Sequence, residues 1–270
     1  MNGPLLEMHS VGLRISRSTL LRDISFALNP GEIVGVAGSN GAGKTSLLRL
    51  ACAEYAPSFG CVHFDGENMA SLNLRDRAKR LAVLPQSMGL QFDFTVRQVI
   101  TLGRSPHGDI GGAGEEVVDQ ALERCELTNF ADRSYPSLSG GEKQRTQFAR
   151  VLAQLLAHSS RKDLSGQILI LDEPTSALDV RHQERFLQLI AELRDRGCAV
   201  LMVMHDINLL SRCANRLLYL KQGEMLSLGP TAEQLNESAL SDLFEYSLKI
   251  RAMSDDAPPF VYPAPHALTS

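Results

Sequence analysis

The chain has 270 residues, of which 44% are hydrophobic, and a formal net charge of −4 at pH 7. This is enough for a packed core of one or two domains, and the acidic balance excludes a protein that covers nucleic acid through bulk positive charge. No apolar run reaches the roughly 20 residues of a membrane span and no signal peptide opens the chain, so we expect a cytoplasmic protein.

The five cysteines are scattered along the sequence. They form no CxxC pair and no Cys/His cluster, which are the patterns typical of disulfide frameworks and zinc sites. We therefore expect reduced, structural thiols.

Strand and helix patterns alternate along most of the chain. Amphipathic periods predict helices at 45–52 and 181–197. Apolar, β-branched runs predict strands at 5–15, 24–28, 32–38, 61–66 (an edge strand closing on an Asp-Gly turn), 80–85, 167–174 and 198–206, and a hairpin at 216–229 around Gln222-Gly223. This alternation predicts an α/β fold with a mostly parallel sheet, whose ligand lies at the carboxyl ends of the strands.

Between about residues 95 and 157 the strand pattern disappears and helical periodicity dominates. This block predicts a helical subdomain inserted into the α/β body. The tail after residue 255 is rich in proline, which favours an extended or loosely attached segment.

A glycine-rich loop follows the strand at 32–38 and opens the helix at 45–52. Its sequence, GSNGAGKT at 38–45, fits the P-loop pattern GxxxxGK[ST] in the expected context. Glycines let backbone N–H groups point at a polyphosphate, Lys44 supplies a cation, and the hydroxyl of Thr45 suits Mg²⁺. The alternative is a glycine-rich turn before a helix.

Two carboxylates end the apolar strand at 167–174. We expect Asp172 and Glu173 at its carboxyl tip beside the P-loop, where Asp172 can hold Mg²⁺ and Glu173 can act as a general base toward water. The alternative is an acidic start of the next helix, with Asp179 as its cap.

Polar side chains also end two other strands. His205 follows the strand that begins at 198, and Gln86 follows the strand at 80–85. Next to a phosphate site, His205 can contact the γ-phosphate and Gln86 can sense the γ-phosphate and Mg²⁺. Taken alone, each is more simply a capping or turn residue.

A second glycine-rich helix start has the sequence SLSGGEKQR at 137–145. Ser139 and Glu142 fit a capping box, which is the local alternative. The box leaves Gly140 and Gly141 unexplained. Their missing side chains expose a helix N-terminus and thus form a second anion site on the same chain.

In their order, these motifs resemble the ATP-binding subunits of ABC transporters over about residues 5–240. The resemblance implies a P-loop NTPase core with a mostly parallel sheet, an antiparallel β subdomain and the inserted helical subdomain at about 87–160. It places the ATP-binding domain at 5–245 and a C-terminal tail at 246–270. It also implies that two copies stack head to tail, so that the P-loop of one and residues 139–142 of the other enclose each ATP.

The resemblance assigns roles by position. It makes Glu173 the catalytic base, His205 the switch histidine and Gln86 the sensor, with Lys44 as a further catalytic residue, and residues 176–179 the D-loop. Mg²⁺ would be held by Thr45, Gln86 and Asp172. ATP would be contacted by Gly38, Ser39, Asn40, Gly41, Ala42, Gly43, Lys44, Thr45 and Ser46, and in trans by the signature segment, Ser139, Gly140, Gly141 and Glu142.

The expected partners are a second copy of the chain, two transmembrane permease subunits and a periplasmic solute-binding protein, with no nucleic acid, at the cytoplasmic face of the inner membrane. The segment at 99–108, the long link at 155–167 and the sequence EPTSALDVRHQ are similar to importers of iron complexes and haemin. We therefore expect haemin as cargo. Ferric siderophores, cobalamin and a soluble, non-transporting ABC ATPase are the alternatives, and the long link can also be a neutral surface insertion.

Three further expectations concern the surface. The family's adenine-stacking aromatic falls near Ile15, but no Phe, Tyr or Trp lies between Met1 and Ser25, so Ile15 or Leu13 would give only apolar contact. The apolar residues Met88, Leu90, Phe92 and Phe94 suit either a docking groove or core packing. The side chains of His107, His158 and His182 are expected at the surface rather than as ligands.

Overall fold

A computed structural model of the chain describes residues 3–86, 93–109, 112–156, 163–252 and 258–264. Its strands and α-helices follow in chain order as β1 Leu6–Ile15, β2 Ser18–Leu28, β3 Ile33–Ala37, α1 Lys44–Ala51, β4 Phe59–Phe64, β5 Glu67–Asn68, α2 Leu74–Arg80, β6 Leu81–Leu84, α3 Val96–Thr101, α4 Ala113–Arg124, α5 Gly140–Leu155, β7 Ile168–Asp172, α6 Val180–Asp195, β8 Ala199–Val203, α7 Ile207–Cys213, β9 Arg216–Lys221, β10 Glu224–Pro230, α8 Thr231–Gln234, α9 Glu237–Phe244, β11 Leu248–Arg251 and β12 Phe260–Pro263. No helix in these ranges is both long and apolar enough to cross a membrane.

A six-stranded sheet forms the centre, in the order β10-β9-β3-β8-β7-β6. The five strands from β9 to β6 are parallel to their neighbours, and only β10 is antiparallel. Every residue of β3, β7 and β8 is buried, as expected for strands covered on both faces. The expected mostly parallel sheet is confirmed, and its carboxyl edge brings the segments after β3, β6, β7 and β8 together.

The antiparallel subdomain has the strand order β2-β1-β4-β5. The expectation that β4 is an edge strand is wrong, because β4 pairs with β1 on one side and with the two-residue β5 on the other. The expected turn after it is present, with Asp65 and Gly66 both in the left-handed region at φ 53° and 79°. Helix α1 packs in the same hydrophobic core as this sheet and one face of the central sheet.

The helical subdomain packs on the opposite face of the central sheet. Buried residues of α3, α4 and α5, among them Ile100, Val118 and Leu152, join one core with β7, β8 and α6. The fully buried Arg104 donates to the carbonyls of Ala153 and Leu156 at the end of α5 and pairs with Asp109. These contacts satisfy carbonyls that a helix C-terminus otherwise leaves open. The domain limits drawn from the sequence stay predictions.

The C-terminal segment differs from the expected loose tail in its described part. Strand β12 is extended, as expected, but it pairs with β11 and docks on α7. There Asn208 donates to the Val261 carbonyl at 3.0 Å and accepts from the Val261 amide at 2.8 Å. The amide side chain of Asn208 thus makes two hydrogen bonds to the backbone of Val261, whose side chain is buried. These contacts hold the segment against the domain.

All five cysteines are free thiols. Burial raises the pKa of each of Cys125, Cys198 and Cys213 to about 12, which makes these three thiols unreactive at neutral pH. The expectation of reduced, structural cysteines agrees with this arrangement.

Candidate active site

The loop between β3 and α1 is shaped for an anion. Gly41 and Gly43 have φ of 79° and 103°, a region open to glycine, and a Cβ on Gly38 would lie 2.2 Å from the carbonyl oxygen of Leu220. Gly43 is the N-cap of α1 and offers no side chain to cap it. The first N–H groups of α1 are therefore left for a ligand, with the positive end of the helix dipole behind them.

Lys44 spans this loop from inside. Its Nζ donates to the carbonyls of Gly38 at 2.8 Å and Ser39 at 2.9 Å. Burial lowers the pKa of Lys44, while the charges of Glu173 and Asp172 act in the opposite direction. The ammonium group is thus held within the loop where a phosphate would enter.

Asp172 and Thr45 form an oxygen donor set beside the loop. Thr45 Oγ1 donates to Asp172 Oδ2 at 3.0 Å, whereas the buried Asp172 Oδ1 has no hydrogen-bond partner among the described residues. Burial raises the pKa of Asp172. A hydroxyl and an unsatisfied carboxylate oxygen are ligands that Mg²⁺ prefers, so these residues fit the ion that the sequence predicts.

Glu173 is held between two polar side chains. Its Oε1 lies 2.5 Å from His205 Nε2, and its Oε2 accepts from Gln86 Nε2 at 2.8 Å. The Glu173 side chain is 12% exposed, and its backbone has φ of 52°, which is unusual for a residue with a side chain. The three residues that the sequence placed after separate strands therefore meet at one carboxylate.

Residues of the P-loop share one cleft of about 640 Å³ with Gln86, Glu173 and His205, whereas Asp172 is not part of its lining. The predicted site residues in its lining are Asn40, Gly41, Gly43, Lys44, Thr45, Ser46, Gln86, Glu173 and His205. The residues that the sequence did not single out as site residues are Thr19, Leu20, Gln222 and Gly223. We call the end of β7 with Asp172 and the following Glu173 the acidic edge. A neighbouring cavity of about 320 Å³ is lined by Thr45, Gln86 and Asp172 among others, so the proposed Mg²⁺ residues also lie together.

The turn between β9 and β10 is, with Thr19 and Leu20 of β2, a part of this wall that sequence reasoning missed. The Gly223 amide donates to the Ala42 carbonyl at 2.9 Å, and the Gly223 carbonyl accepts from the Arg22 amide at 2.8 Å. The Gln-Gly pair predicted the turn itself. Its contact with the P-loop joins segments about 180 residues apart, and no local pattern signals such a contact.

The signature segment lies outside the cleft, since none of residues 139–142 lines it. Ser139 and Glu142 form the expected capping box, with the Ser139 amide donating to Glu142 Oε2 at 2.7 Å and the Glu142 amide donating to Ser139 Oγ at 3.4 Å. The hydrogen bonds from Ser139 lower the pKa of Glu142. The structure therefore brings the P-loop and the acidic edge together within one chain, but not the second anion site.

Other expectations have mixed outcomes. Leu13 is 3% exposed and packs in the core, which rules it out as an adenine contact, whereas Ile15 is 41% exposed. Asp179 caps α6 by accepting from the His182 amide at 2.9 Å. His107 is not a free surface residue, because its Nε2 lies 2.8 Å from the Gln154 carbonyl.

The apolar patch is only partly described. Phe94 packs against the core. The residues Met88, Leu90, Phe92 and His158 lie outside the described residues.

Within strand β4, two side chains on the same face form a Cys/His contact that the sequence did not predict. Cys61 Sγ lies 3.9 Å from His63 Nδ1, and the rings of His9 and His63 are 5.3 Å apart. Across the described ranges, no three or more His, Cys, Asp or Glu side chains are arranged to hold a metal ion.

Comparison with known proteins extends over nearly the whole chain. A family model described as "ABC transporter" matches residues 21–176. The hemin import ATP-binding protein HmuV of Pseudomonas entomophila is 41% identical over 257 residues, which are 95% of this chain and 99% of that protein. HmuV of Pseudomonas aeruginosa is 39% identical over the same length. A solved inward-facing structure of a putative metal-chelate type ABC transporter superposes with a TM-score of 0.77 at 27% identity and covers 98% of each chain. The resemblance seen in the motifs is confirmed: the chain belongs to the ATP-binding proteins of the ABC transporter family.

Proposed function

We propose that this chain hydrolyses ATP to drive an importer that carries haemin across the inner membrane. The observation that carries the hydrolytic part is Glu173, held between Gln86 and His205 at the mouth of the P-loop cleft. The cargo is supported by relatives named hemin import ATP-binding proteins, which match 95% of the chain.

ATP binds with its phosphates in the P-loop in this proposal. Residues 38–46 supply backbone N–H groups and Lys44 supplies the positive charge nearest the terminal phosphates. Mg²⁺, when bound, would neutralise phosphate charge, and Thr45 and Asp172 would hold it together with Gln86. The buried, unpartnered Asp172 Oδ1 is the observation that supports this assignment.

Glu173 acts as the general base. Its carboxylate accepts a proton from the water that attacks the γ-phosphate, and its low exposure of 12% limits competing water. His205 Nε2 orients the carboxylate through its contact with Glu173 Oε1, and we assign its single N–H to the γ-phosphate once nucleotide is bound. Gln86 holds the other carboxylate oxygen and thereby fixes the direction in which the base faces.

A second copy completes the site. The signature segment begins helix α5 but lines no part of the P-loop cleft of its own chain. We assign it to the nucleotide of a partner copy, in a homodimer attached to two permease subunits and served by a periplasmic solute-binding protein. In this proposal the chain lies at the cytoplasmic face of the inner membrane. The limits of 5–245 for the ATP-binding domain and 246–270 for the C-terminal tail stay part of the proposal, and the described part of that tail docks on the domain.

Replacing Glu173 by Gln tests the hydrolytic proposal. We expect turnover to fall by about 10²–10⁴-fold, the usual contribution of a general base, while ATP binding persists and dimers accumulate. Glu192, an exposed residue of α6 paired with Arg124, provides the matched control, and E192Q should keep the turnover of the unaltered chain. Unchanged phosphate release by E173Q would contradict the assignment of the base.

Reconstitution tests the cargo. The chain, its permease and the binding protein in proteoliposomes should take up haemin only with ATP and Mg²⁺. Uptake of a ferric siderophore or cobalamin but not haemin would correct the cargo. Turnover that no permease stimulates would contradict the transport role.

A further inference from the structure

One side chain of helix α5, which begins with the signature segment, holds the backbone of residues 173–177, the segment that starts with the catalytic base. Gln144 lies in the second turn of α5, and its Nε2 donates to the Glu173 carbonyl at 3.0 Å. Its Oε1 accepts from the Ala177 amide at 3.2 Å. Both ends of the segment from Glu173 to Ala177 are therefore tied to α5 by a single amide group.

The residue held in this way has a strained backbone. Glu173 has φ of 52°, and such a conformation persists in a residue with a side chain only where surrounding contacts impose it. Its carbonyl also accepts from Ser176 Oγ at 3.2 Å, a bond within the same turn. Gln144 adds a hydrogen bond from a separate helix. The backbone conformation of Glu173 therefore depends on the position of α5.

The backbones of the two elements are also close together. A Cβ on Gly141 would lie 2.9 Å from the Ala177 carbonyl oxygen, and a Cβ on Gly140 would lie 3.7 Å from Ala177 Cβ. A displacement of the signature segment therefore presses on the segment after β7. Close packing of this kind transmits small shifts because it leaves no free space to absorb them.

We propose that Gln144 is a positioning residue that couples the signature segment to the catalytic base of its own chain. The inference rests on the proposed function, in which residues 139–142 contact the ATP of the partner copy. Through Gln144, the helix that closes on one nucleotide then sets the orientation of the carboxylate that serves the other. The two sites of the dimer are thereby linked through each chain.

The test replaces the amide in two ways. Gln144→Leu keeps the size of the side chain and removes both hydrogen bonds. Gln144→Glu keeps an acceptor for the Ala177 amide but places an anion against the Glu173 carbonyl. We expect kcat to fall about tenfold in Q144L and at least as far in Q144E, because the Glu173 carboxylate is then displaced from the attacking water. The KM for ATP should change less than about twofold. The Hill coefficient for ATP should fall toward 1.

Gln154 offers a matched control on the same helix. Its Nε2 donates to the backbone carbonyls of Ala78 at 2.9 Å and Leu81 at 3.2 Å, away from the cleft. Gln154→Leu removes a comparable pair of hydrogen bonds and should keep kcat and the Hill coefficient of the unaltered chain. A Q144L protein whose kcat and cooperativity match those of Q154L would overturn the proposal.

A double variant shows whether Gln144 acts through the base. If it does, Gln144→Leu should cause no further loss of hydrolysis in a Glu173→Gln background, because effects on one shared group do not add. A further tenfold loss would contradict the coupling. Absence of hydrolysis by the unaltered chain with its permease would contradict the proposed function as well, whereas an active parent and an equally active Q144L contradict this inference alone.

Discussion

Helices α1 and α5 both have glycines where they begin, and the difference between their first turns separates an anion site built within one chain from a helix start that, in our proposal, needs a second chain. Helix α1 follows Gly43, an N-cap residue that has φ of 103° and no side chain to cap the helix. Helix α5 starts after Ser139, whose side chain caps the helix in a box with Glu142. The two ends have the same backbone chemistry, because each has N–H groups without partners inside its helix.

The surroundings decide what each end can bind. Around α1, one chain supplies a cation, an acidic edge and a cleft of about 640 Å³. Around α5, a carboxylate already compensates the helix dipole, and residues 139–142 line no part of that cleft. The capping box stabilises α5 without a nucleotide, and in our proposal a second chain presents the phosphate to this helix end.

Replacing Lys44 by Ala gives the largest expected effect. The variant removes the cation from the cleft at α1, and we expect ATP affinity to fall by about 30-fold or more, as for loss of a buried charge partner, with hydrolysis lost. Titration calorimetry of the dilute chain measures the affinity.

Lys143 is the matched lysine near the start of α5. The variant Lys143→Ala should leave the ATP affinity of the dilute chain within about twofold, because in our proposal this helix end binds the nucleotide of the partner copy. Equal losses of affinity in K44A and K143A would contradict the difference drawn between the two helix starts.

The central sheet and most of its edge could be predicted from the sequence because their signals are local. Five-residue apolar strands such as β3, β7 and β8 are buried on both faces, so their composition identifies them. Once these strands are taken as parallel, residues that follow them must meet at one edge. That argument placed Lys44, Gln86, Glu173 and His205 together, as the cleft has them.

The remaining features depend on contacts that no short pattern encodes. Strand β2 begins at Ser18 rather than at residue 24. Its first half also pairs with β1, but only Leu20 and Leu21 are apolar there, and the charged Arg22 and Asp23 separate them from the apolar run that the sequence predicts. The contact of Gly223 with the P-loop and the bonds of Asn208 to β12 join distant segments. In the sequence, Gln144 looks like an ordinary surface residue of a helix. The hydrogen-bond partners of its side-chain amide lie in the turn that begins at Glu173, and no local pattern predicts them.

Replacing Ser139 by Ala tests the capped helix with a moderate effect. Loss of the cap should reduce the free energy of unfolding by about 1 kcal/mol. It should also lower turnover of the assembled dimer while leaving the ATP affinity of the dilute chain unchanged, because in our proposal the segment acts on the nucleotide of the partner copy. Chemical denaturation, phosphate release and calorimetry measure the three quantities.

Thr95 supplies the control, since it forms the same capping box with Gln98 at the start of α3. The variant Thr95→Ala should show a similar loss of stability and normal turnover. If both variants lose turnover equally, the effect of S139A reflects stability alone and the role of the α5 start is wrong.

The smallest expected effect concerns the acidic edge of the first site and its pH dependence. Burial raises the pKa of Asp172, so the protonated carboxyl is favoured by folding. The stabilisation is complete below the ordinary value of 3.8 and is lost as pH rises through the higher folded value. Without nucleotide and divalent ions, Asp172→Asn should therefore match the unaltered chain near pH 4 and exceed its stability by on the order of 1 kcal/mol at pH 7.

Asp109 is the control, because its pKa is shifted in the opposite direction to that of Asp172. The pH dependence of stability should therefore differ in sign between the two carboxylates. Burial alone would raise its pKa, but the hydrogen bond and charge of Arg104 outweigh burial and lower it. Its stabilisation is present above 3.8 and is lost only as pH falls below that value. The stability gap between Asp109→Asn and the unaltered chain should thus stay constant from pH 4 to 7, with the variant less stable throughout. Denaturation curves of both variants from pH 4 to 7 measure these differences in stability. If the difference between D172N and the unaltered chain also stays constant, the ionised Asp172 carboxylate does not destabilise the folded chain. The site at α1 would then be no better prepared for a cation than the capped start of α5.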